Sequence, residues 1–439
     1  MSGAGATLRR LRRLGNIERG CWLIAQTAPM NVLSVAQVRG RLDHGRLPAA
    51  LAAIQARHPL LRVCVREDGG RPAYFESDAP IPLGLRERRD DTAFHQVVAE
   101  ERNRPLPADQ APLLRLTVLW GEEASDLIFT LHHLISDGAS SSLIVRDLLQ
   151  ALAEPAAPQP SLPLQPSLEA LMPAAERGLP GLARTARFVA DQAHTFWVRR
   201  PRLLAEQQAV PRLARRSAVA HQTIDREALS ALRAACRARG VTLHGALCAA
   251  LLLAVGAEVR DESGEPAPLL GCCSPMNLRG VLVPPVGEDL GLFVGPIVTF
   301  HRVPAGCDLF SLAAELTRDV HAARAAGVPT QALAAQSRLL PPWVSPRQAA
   351  AHLYNRLFGT VSVTNMGAVD IPLAYGDLRL TALHIGGSNN PFGSLISIGA
   401  TTLDGQLFLN FNYNRGIVSD ERIARVVAAT LAALQPPPA

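Results

Sequence analysis

Apolar residues recur at helical spacing in several stretches of the chain, and these stretches carry residues typical of helix boundaries. Leu47, Leu51 and Ile54 form one apolar face. Pro59 follows this face, and proline neither donates a backbone hydrogen bond nor allows the preceding residue to stay helical. The pattern therefore predicts a helix over residues 47–57.

Further helices are predicted by the same spacing after Gly138, Asp225 and Thr242, and over residues 424–434. The serines that follow Gly138 suit a helix start. Asp225 and Thr242 can cap the helices that follow them, because their side chains accept hydrogen bonds from free backbone N–H groups of the first turn.

Short apolar runs between these helices, rich in Leu, Val, Ile and Phe, predict strands. They cover residues 61–65, 113–120, 127–131, 221–224, 269–273, 294–301 and 360–363. Residues 394–412 predict a hairpin, because two apolar runs meet at Asp404-Gly405, a pair that accepts the positive φ of a type I′ turn. Helices and strands are interleaved in both halves, which predicts an α/β fold.

The chain has 439 residues, enough for two domains at about 100–200 residues each. Five prolines between residues 155 and 166 predict a semi-rigid connection, and residues 168–216 are predicted to be helical. We therefore predict an N-terminal domain over residues 1–165, a helical arginine-rich connection over 166–216, and a C-terminal domain over 217–439.

Charge is modest and positive: the formal net charge is +6, and every basic residue is an arginine. Such a field attracts anionic partners such as coenzyme A phosphates or an acidic carrier protein. The arginines of residues 168–216 are interpreted as a solvated helix face, with a docking surface for an anionic carrier as the alternative. With 5% aromatic residues and no zinc-finger spacing or RNA-binding signature, nucleic-acid binding is not predicted.

The sequence predicts a cytoplasmic location. No window reaches the ~18 uninterrupted apolar residues of a membrane span, and the basic N-terminus lacks a secretory signal pattern. Residues 8–14 alternate leucine and arginine, and a solvated lead-in is favoured over a membrane-binding helix. The seven cysteines contain no C-x-x-C pair, which favours buried free thiols.

Residues 127–138 contain the most informative chemistry, since a strand there runs into two histidines, a loop and a helix-opening glycine. Strand side chains alternate, so His132 and His133 should face opposite ways, and spacing alone does not say which one enters a cleft. Asp137 can order the loop, pair with an arginine or orient an imidazole. Gly138 allows a tight turn and close approach to a ligand.

The run His-His-Leu-Ile-Ser-Asp-Gly resembles the His-His-x-x-x-Asp-Gly signature of the condensation-domain superfamily. This superfamily includes condensation domains of peptide synthetases, plant BAHD acyltransferases, polyketide-associated (Pap-type) acyltransferases and chloramphenicol acetyltransferase. Similar segments are residues 47–62, 112–115, 275–280, 291–295 and 361–367. The last, Val-Ser-Val-Thr-Asn-Met-Gly, is most similar to Pap-type enzymes and alcohol acetyltransferases, and the Asp-Phe-Gly-Trp-Gly box of the plant branch is absent.

The resemblance implies two chloramphenicol-acetyltransferase-like domains that form a V-shaped pseudodimer with a central channel open at both ends. It implies that His133 is catalytic and that Asp137 forms a structural ion pair with an arginine of the second half, matched here to Arg279. His132 and Gly138 complete the motif. Candidate channel or oxyanion-binding residues are Gly138, Asn277, Ser362, Thr364 and Asn365.

The function implied is acyl transfer from a thioester of coenzyme A or an acyl carrier protein to an alcohol or amine, with His133 as base and then acid. No metal or tightly bound cofactor is expected, and Gly-x-Ser-x-Gly is absent, so no acyl-enzyme is required. Residues 361–367 favour ester formation on a polyketide, lipid or other secondary metabolite. A stand-alone amide-forming condensation enzyme and a non-catalytic recruitment module stay open, and a monomer is expected.

Overall fold

The computed structural model describes residues 8–211, 214–353, 359–388 and 394–435. Its strands are β1 Arg10–Arg13, β2 Asn31–Arg39, β3 Val63–Asp68, β4 Arg71–Glu76, β5 Leu83–Glu87, β6 Leu114–Trp120, β7 Ala124–His132, β8 Arg216–Ile224, β9 Leu269–Asn277, β10 Val294–Arg302, β11 Val361–Ala368, β12 Ala374–Tyr375, β13 Leu378–Gly387, β14 Ile396–Leu403 and β15 Gln406–Arg415. Its α-helices are α1 Asn16–Ala25, α2 Leu47–Arg57, α3 Asp91–Asn103, α4 Gly138–Ala153, α5 Leu168–Leu171, α6 Gly178–His194, α7 Arg226–Ala238, α8 Leu243–Ser263, α9 Leu309–Ala325, α10 Val328–Leu339, α11 Pro346–Leu353 and α12 Asp420–Leu434. The predicted α/β class is confirmed.

Two six-stranded sheets form the frame of the molecule. The first has the order β12-β13-β2-β7-β6-β5 and the second β10-β9-β11-β14-β15-β8. A smaller sheet has the order β1-β4-β3. Strands β12 and β13 come from the second half of the sequence, yet β13 pairs antiparallel with β2, with Leu383 opposite Ala36. The predicted division at residues 165 and 216 stays a prediction, and this crossing strand pair ties the two halves together.

Each half buries its own apolar core. The predicted face of α2 lies in the first core, where Leu47, Leu51 and Ile54 are buried beside the first sheet. Helix α8 lies in the second core. It is the one helix among the described residues that is long and apolar enough to cross a membrane, and 67% of its most apolar 18-residue window is buried. Because a core helix of a folded domain has the same composition, we assign α8 to the core.

The predicted caps and the predicted hairpin are confirmed. Asp225 accepts a hydrogen bond from Ala228 N at the start of α7, and Thr242 accepts one from Gly245 N at the start of α8. Strands β14 and β15 form the hairpin. Its turn has φ angles of 47° at Asp404 and 75° at Gly405, the left-handed values that a type I′ turn requires.

Three local predictions were wrong. Residues 59–62 form a 3₁₀ turn, so the strand predicted from residue 61 begins only at Val63. The helical stretch predicted over residues 168–216 is divided into α5 and α6, and it ends near residue 199, where Arg200 adopts a left-handed conformation (φ 52°) directly before a proline. The arginine-rich leucine stretch at residues 8–14 is neither a solvated lead-in nor a helix, since Arg10–Arg13 pairs with β4 as an edge strand.

The cysteine prediction is confirmed for six positions. All seven cysteines are free thiols, six are buried, and Cys307 is half-buried. Burial raises the pKa of the Cys273 thiol to about 12, so this thiol is protonated at neutral pH.

Two histidines lie where the crossing strand meets the second sheet. His221 on β8 and His384 on β13 both have Nδ1 near Asn410 Oδ1, at 2.7 and 3.0 Å. Their rings are 4.9 Å apart. Burial, followed by the neighbouring His384, lowers the pKa of His221 to about 3, and burial lowers the pKa of His384 to about 4. Both rings are therefore neutral in the folded protein at neutral pH.

We expect the protein to lose stability as the pH falls below about 6.5, the pKa of an unfolded histidine. Between that pH and the folded pKa values the unfolded state binds more protons, so each ring lowers the free energy of unfolding by about 1.4 kcal/mol per pH unit. Urea unfolding from about pH 4.5 to 7 should show a shallower slope for His384→Gln. His321→Gln, on the exposed side of α9, is the control, and equal slopes for both variants would contradict the prediction.

Candidate active site

His132 ends β7 and His133 directly follows it, and the two side chains line different cavities, in agreement with the prediction that they face opposite ways. His132 is buried, and its Nδ1 accepts a hydrogen bond from Leu134 N at 3.0 Å. It lines a cavity with Trp22 and Met30 that His133 does not line. Burial, with a smaller effect of the His133 charge, lowers the pKa of His132 to about 3. His132 is thus a neutral ring that helps to fix the loop.

The His133 ring is oriented by the loop that follows it. Its Nδ1 lies 2.7 Å from the carbonyl oxygen of Ser136, and its backbone N donates to Met30 O at 2.8 Å. A carbonyl oxygen can only accept, so Nδ1 carries the hydrogen of the neutral ring and Nε2 carries the lone pair. This is the tautomer in which Nε2 can act as a base.

Two cavities meet at His133. Both touch His133, Pro275 and Val294, and their volumes are about 170 and 80 Å³. The larger, which we call the hydroxyl cavity, is lined by the hydroxyl-bearing residues Ser362, Thr364, Ser388, Ser394 and Ser397. The smaller, which we call the apolar cavity, is lined among others by Ile17, Cys21, Met30, Leu292 and Leu333. Two cavities with different linings therefore share one imidazole.

Asp137 caps α4 and holds the second half of the chain. Its Oδ1 accepts from Ser140 N at 2.8 Å. Its Oδ2 accepts from Arg279 Nη1 at 2.8 Å and from Phe293 N at 3.0 Å. Burial opposes ionisation, but the charge and hydrogen bonds of Arg279, with those of Ser140, outweigh it and lower the pKa of Asp137. The carboxylate therefore serves the cap and the ion pair, while Ser136 orients the imidazole.

Arg279, the arginine matched from the resemblance, makes the implied contact and further ones. Its Nη2 donates to Ser140 Oγ at 3.0 Å and to Asp289 O at 3.1 Å. Its guanidinium lies 4.9 Å from the centre of the Phe293 ring. Asn277 Oδ1 accepts from the Arg279 backbone N at 3.0 Å. These contacts fix the end of β9 against the first turn of α4.

The remaining predicted residues fall into two groups. Ser362 and Thr364 of β11 line the hydroxyl cavity, whereas Asn277 and Asn365 line neither cavity. Asn277 supports Arg279, and Asn365 Oδ1 accepts from Gly367 N at 2.9 Å. The roles proposed for these residues in the reaction stay predictions.

Gly138 lines the hydroxyl cavity and has a packing reason to be glycine. A Cβ at this position would lie 2.4 Å from Met366 Sδ. The absent side chain therefore lets β11 of the second half approach the first turn of α4, which brings Ser362 and Thr364 to the same cavity as His133.

Sequence reasoning missed the far wall of the hydroxyl cavity. This wall is formed by Gly386, Gly387 and Ser388 at the end of β13 and by Asn412 of β15. Isolated Ser and Asn residues carry no motif. The Gly-Gly-Ser run at a strand end was a usable signal, because paired glycines in a strand often mark a close approach of backbone to ligand.

Comparison with known proteins gives matches in both sequence and structure. The family model described as phthiocerol/phthiodiolone dimycocerosyl transferase C-terminus matches residues 214–403. A linear gramicidin synthase of Brevibacillus parabrevis is 33% identical over 156 residues, 33% of this chain and 3% of that protein. A surfactin synthase of Bacillus subtilis is 32% identical over 156 residues, 35% and 4% of the two chains. The chain spans only a small part of the length of these relatives.

Solved structures share the fold over nearly the whole chain. Polyketide synthase associated protein 5 from Mycobacterium tuberculosis has a TM-score of 0.68 at 20% identity and covers 98% of both chains. The trichothecene 15-O-acetyltransferase TRI3 of Fusarium sporotrichioides has a TM-score of 0.74 at 11% identity and covers 99% of this chain and 96% of that one. The first condensation domain of the CDA synthetase has a TM-score of 0.71 at 18% identity and covers 98% of both. The family match over residues 214–403, the synthetase relatives and this shared fold together support the resemblance to the condensation-domain, chloramphenicol-acetyltransferase-like superfamily.

Proposed function

We propose that the chain is an acyltransferase that moves an acyl group from the thioester of coenzyme A or a carrier protein to a hydroxyl group. One observation carries the proposal: the two cavities meet at His133, whose Nε2 carries the lone pair because Nδ1 is held by Ser136. A base between two substrate cavities can serve a reaction in which both substrates react directly with each other.

The reaction proceeds without a covalent enzyme intermediate. His133 Nε2 takes the proton of the acceptor hydroxyl as its oxygen attacks the thioester carbonyl. The C–O bond forms, the C–S bond then breaks, and the imidazolium returns the proton to the departing thiolate. General acid–base catalysis of this kind contributes about 10²–10⁴-fold. Positioning of the two substrates must supply most of the remaining acceleration.

The negative oxygen of the tetrahedral intermediate needs hydrogen-bond donors on the cavity wall. The Gly138 N–H and the hydroxyls of Ser362 and Thr364 are the candidates, since all three residues line the hydroxyl cavity beside His133. The ion pair of Asp137 with Arg279 keeps α4 and β9 in place around this point. Its role is to position the site.

The relatives support two products. The matching family model is named for a dimycocerosyl transferase, and TRI3 is named as a 15-O-acetyltransferase, which favours ester formation. The gramicidin and surfactin synthases are the relatives with the higher identity, over about a third of this chain, which keeps an amide-forming condensation enzyme as the second candidate.

A matched panel separates these products. Acyl-coenzyme A and acyl-carrier thioesters of several chain lengths are incubated with alcohols and with the amine analogue of each alcohol, and products are identified by mass spectrometry. We expect ester products, with the amine analogues giving less product at equal concentration. Amide as the main product would support the second candidate. Carrier binding without product from any pair would contradict catalysis and support a recruitment module.

A further inference from the structure

Arg102, near the end of α3, is buried against the wall of the hydroxyl cavity. Its side chain is among the largest that are fully enclosed in the protein. Its Nη1 donates to the carbonyl oxygen of Gly387 and, at 2.8 Å, to Asn412 Oδ1. Gly387 and Asn412 both line the hydroxyl cavity. The guanidinium is therefore one residue layer away from the space where a substrate would lie.

This wall is thin because β13 ends in two glycines. A Cβ on Gly386 would lie 3.2 Å from Arg102 Nη2 and 2.9 Å from Asn412 Oδ1. Any larger residue at position 386 would place a carbon atom beside the guanidinium. With glycine there, Nη2 lies close to the backbone of Gly386, which itself lines the cavity.

The end of α3 is held firmly at this wall. Ser388 Oγ donates to the Arg102 carbonyl at 2.9 Å, and Asn31 Nδ2 donates to the same carbonyl at 3.3 Å. Ser388 itself lines the hydroxyl cavity. The position of Arg102 is thus fixed by contacts from both β2 and the crossing strand.

Arg102 differs from the other buried arginines of the described residues in having no carboxylate partner there. Each of the others forms an ion pair: Arg57 with Asp147, Arg115 with Glu101, Arg279 with Asp137 and Arg422 with Glu258. Burial alone lowers the pKa of Arg102 to about 10, so the side chain is still charged at neutral pH. A buried charge without a counter-charge is costly, which gives a reason to look for an anion from outside the chain.

We propose that Arg102 forms an anion-binding subsite of the hydroxyl cavity, which takes the carboxylate or phosphate group of a substrate. An oxyanion accepts hydrogen bonds from a guanidinium with favourable geometry. The inference rests on the proposed function, in which this cavity holds one of the two substrates. It narrows that substrate to one with an anionic oxygen group away from the reacting atom.

The test measures binding, so that it does not depend on acyl transfer. The wild-type chain is titrated calorimetrically with short aliphatic and aromatic carboxylates, each matched by its neutral primary amide. A second arm compares 4′-phosphopantetheine with pantetheine. We expect at least one anion to bind about tenfold or more tightly than its neutral partner, because hydrogen bonds to charged groups are the stronger ones. The arm that shows the preference identifies a carboxylate or a phosphate as the ligand group.

Three variants assign the preference to Arg102. Arg102→Gln, which keeps a donor for Gly387 and Asn412, should lose the anion preference while binding the neutral partner as before. Gly386→Ala keeps the charge of Arg102 but adds a methyl group at the cavity wall, and it should also lose the anion preference. This variant provides the test if Arg102→Gln does not fold. Arg104→Gln is the control, because the Arg104 side chain is largely exposed, and it should keep the preference.

Two results would overturn the subsite: no anion bound more tightly than its neutral partner in either arm, or the same preference in wild type and both cavity variants. Neither result would contradict the proposed function, because acyl transfer to a hydroxyl does not require an anionic group elsewhere on the substrate. An anion preference in a chain that transfers no acyl group would instead contradict the reaction alone.

Discussion

His133→Ala is expected to give a folded protein whose acyl transfer is slower by about 10²–10⁴-fold or more. The substitution removes the imidazole that lines both cavities, so in the proposed mechanism neither the acceptor proton nor the leaving thiolate has its relay. The free energy of unfolding should fall only slightly. The ring is half-buried at a cavity junction, and the hydrogen bond from its Nδ1 to Ser136 O is worth about 1 kcal/mol.

The measurement is single-turnover transfer with a substrate pair found active in the panel, together with thermal unfolding of the same samples. His321→Gln on the exposed side of α9 is the matched control and should react like wild type. Near-normal turnover by His133→Ala would end the mechanism. Loss of folding in that variant would show that the ring is structural and would leave the general-base role without support.

The motif was predictable because its geometry is local. A strand, two histidines and a capping aspartate follow one another within a few residues, so alternation places His132 and His133 on opposite sides and Asp137 at the start of α4. The ion pair with Arg279 was not predictable from spacing, since 142 residues separate the partners. Only the resemblance to a known family pointed to it.

For the far wall of the hydroxyl cavity, the Gly-Gly-Ser run is the one signal that the sequence offers. No strand was predicted where β13 lies, and the pairing of β13 with β2 across the halves depends on tertiary contacts. Asn412 enters the cavity only because β15 lies next to β14 in the second sheet. Their place in the site therefore became visible only in the folded structure.

The burial of Arg102 likewise could not be predicted from the sequence. In the sequence Arg102 stands in the polar run Glu-Glu-Arg-Asn of residues 100–103 and would be assigned to a solvated surface, because arginine is seldom fully buried. Its burial follows from the docking of α3 against β8 and the crossing strand, to which Asn103 contributes by donating to Ser217 O at 2.8 Å. A buried arginine, which departs from the usual surface location, is a better indicator of a functional site than an arginine on the solvated surface.

Asp137→Ala is expected to lower the free energy of unfolding by about 3–5 kcal/mol. It leaves Arg279 buried without its counter-charge and removes the acceptor for Ser140 N and Phe293 N. Arg279→Ala should cost a similar amount by stranding the carboxylate. The double variant should lose clearly less than the sum of the two, because each single change already breaks the shared ion pair.

Urea unfolding of the wild type, the two alanine variants and the double variant gives the coupling energy between Asp137 and Arg279. A fifth protein, Asp137→Asn, separates the contribution of the charge from that of the helix cap. Asparagine keeps an oxygen that can cap α4 but carries no charge, so Asp137→Asn should retain the cap contribution alone. The exposed pair Arg86 with Glu100 is the control and should show far weaker coupling, because water screens it. Additive losses at Asp137 and Arg279 would contradict a structural ion pair.

The coupling should also depend on pH, with a direction fixed by the carboxylate. The folded pKa of Asp137 is lowered, so its contribution is present above the unfolded pKa of about 3.9 and is lost as the pH falls through the folded value. The difference in stability between wild type and Asp137→Asn should therefore be full at neutral pH and shrink in strong acid. A difference that is the same at neutral pH and in strong acid would contradict a contribution from the carboxylate charge, and the charge of Arg279 would then need another partner.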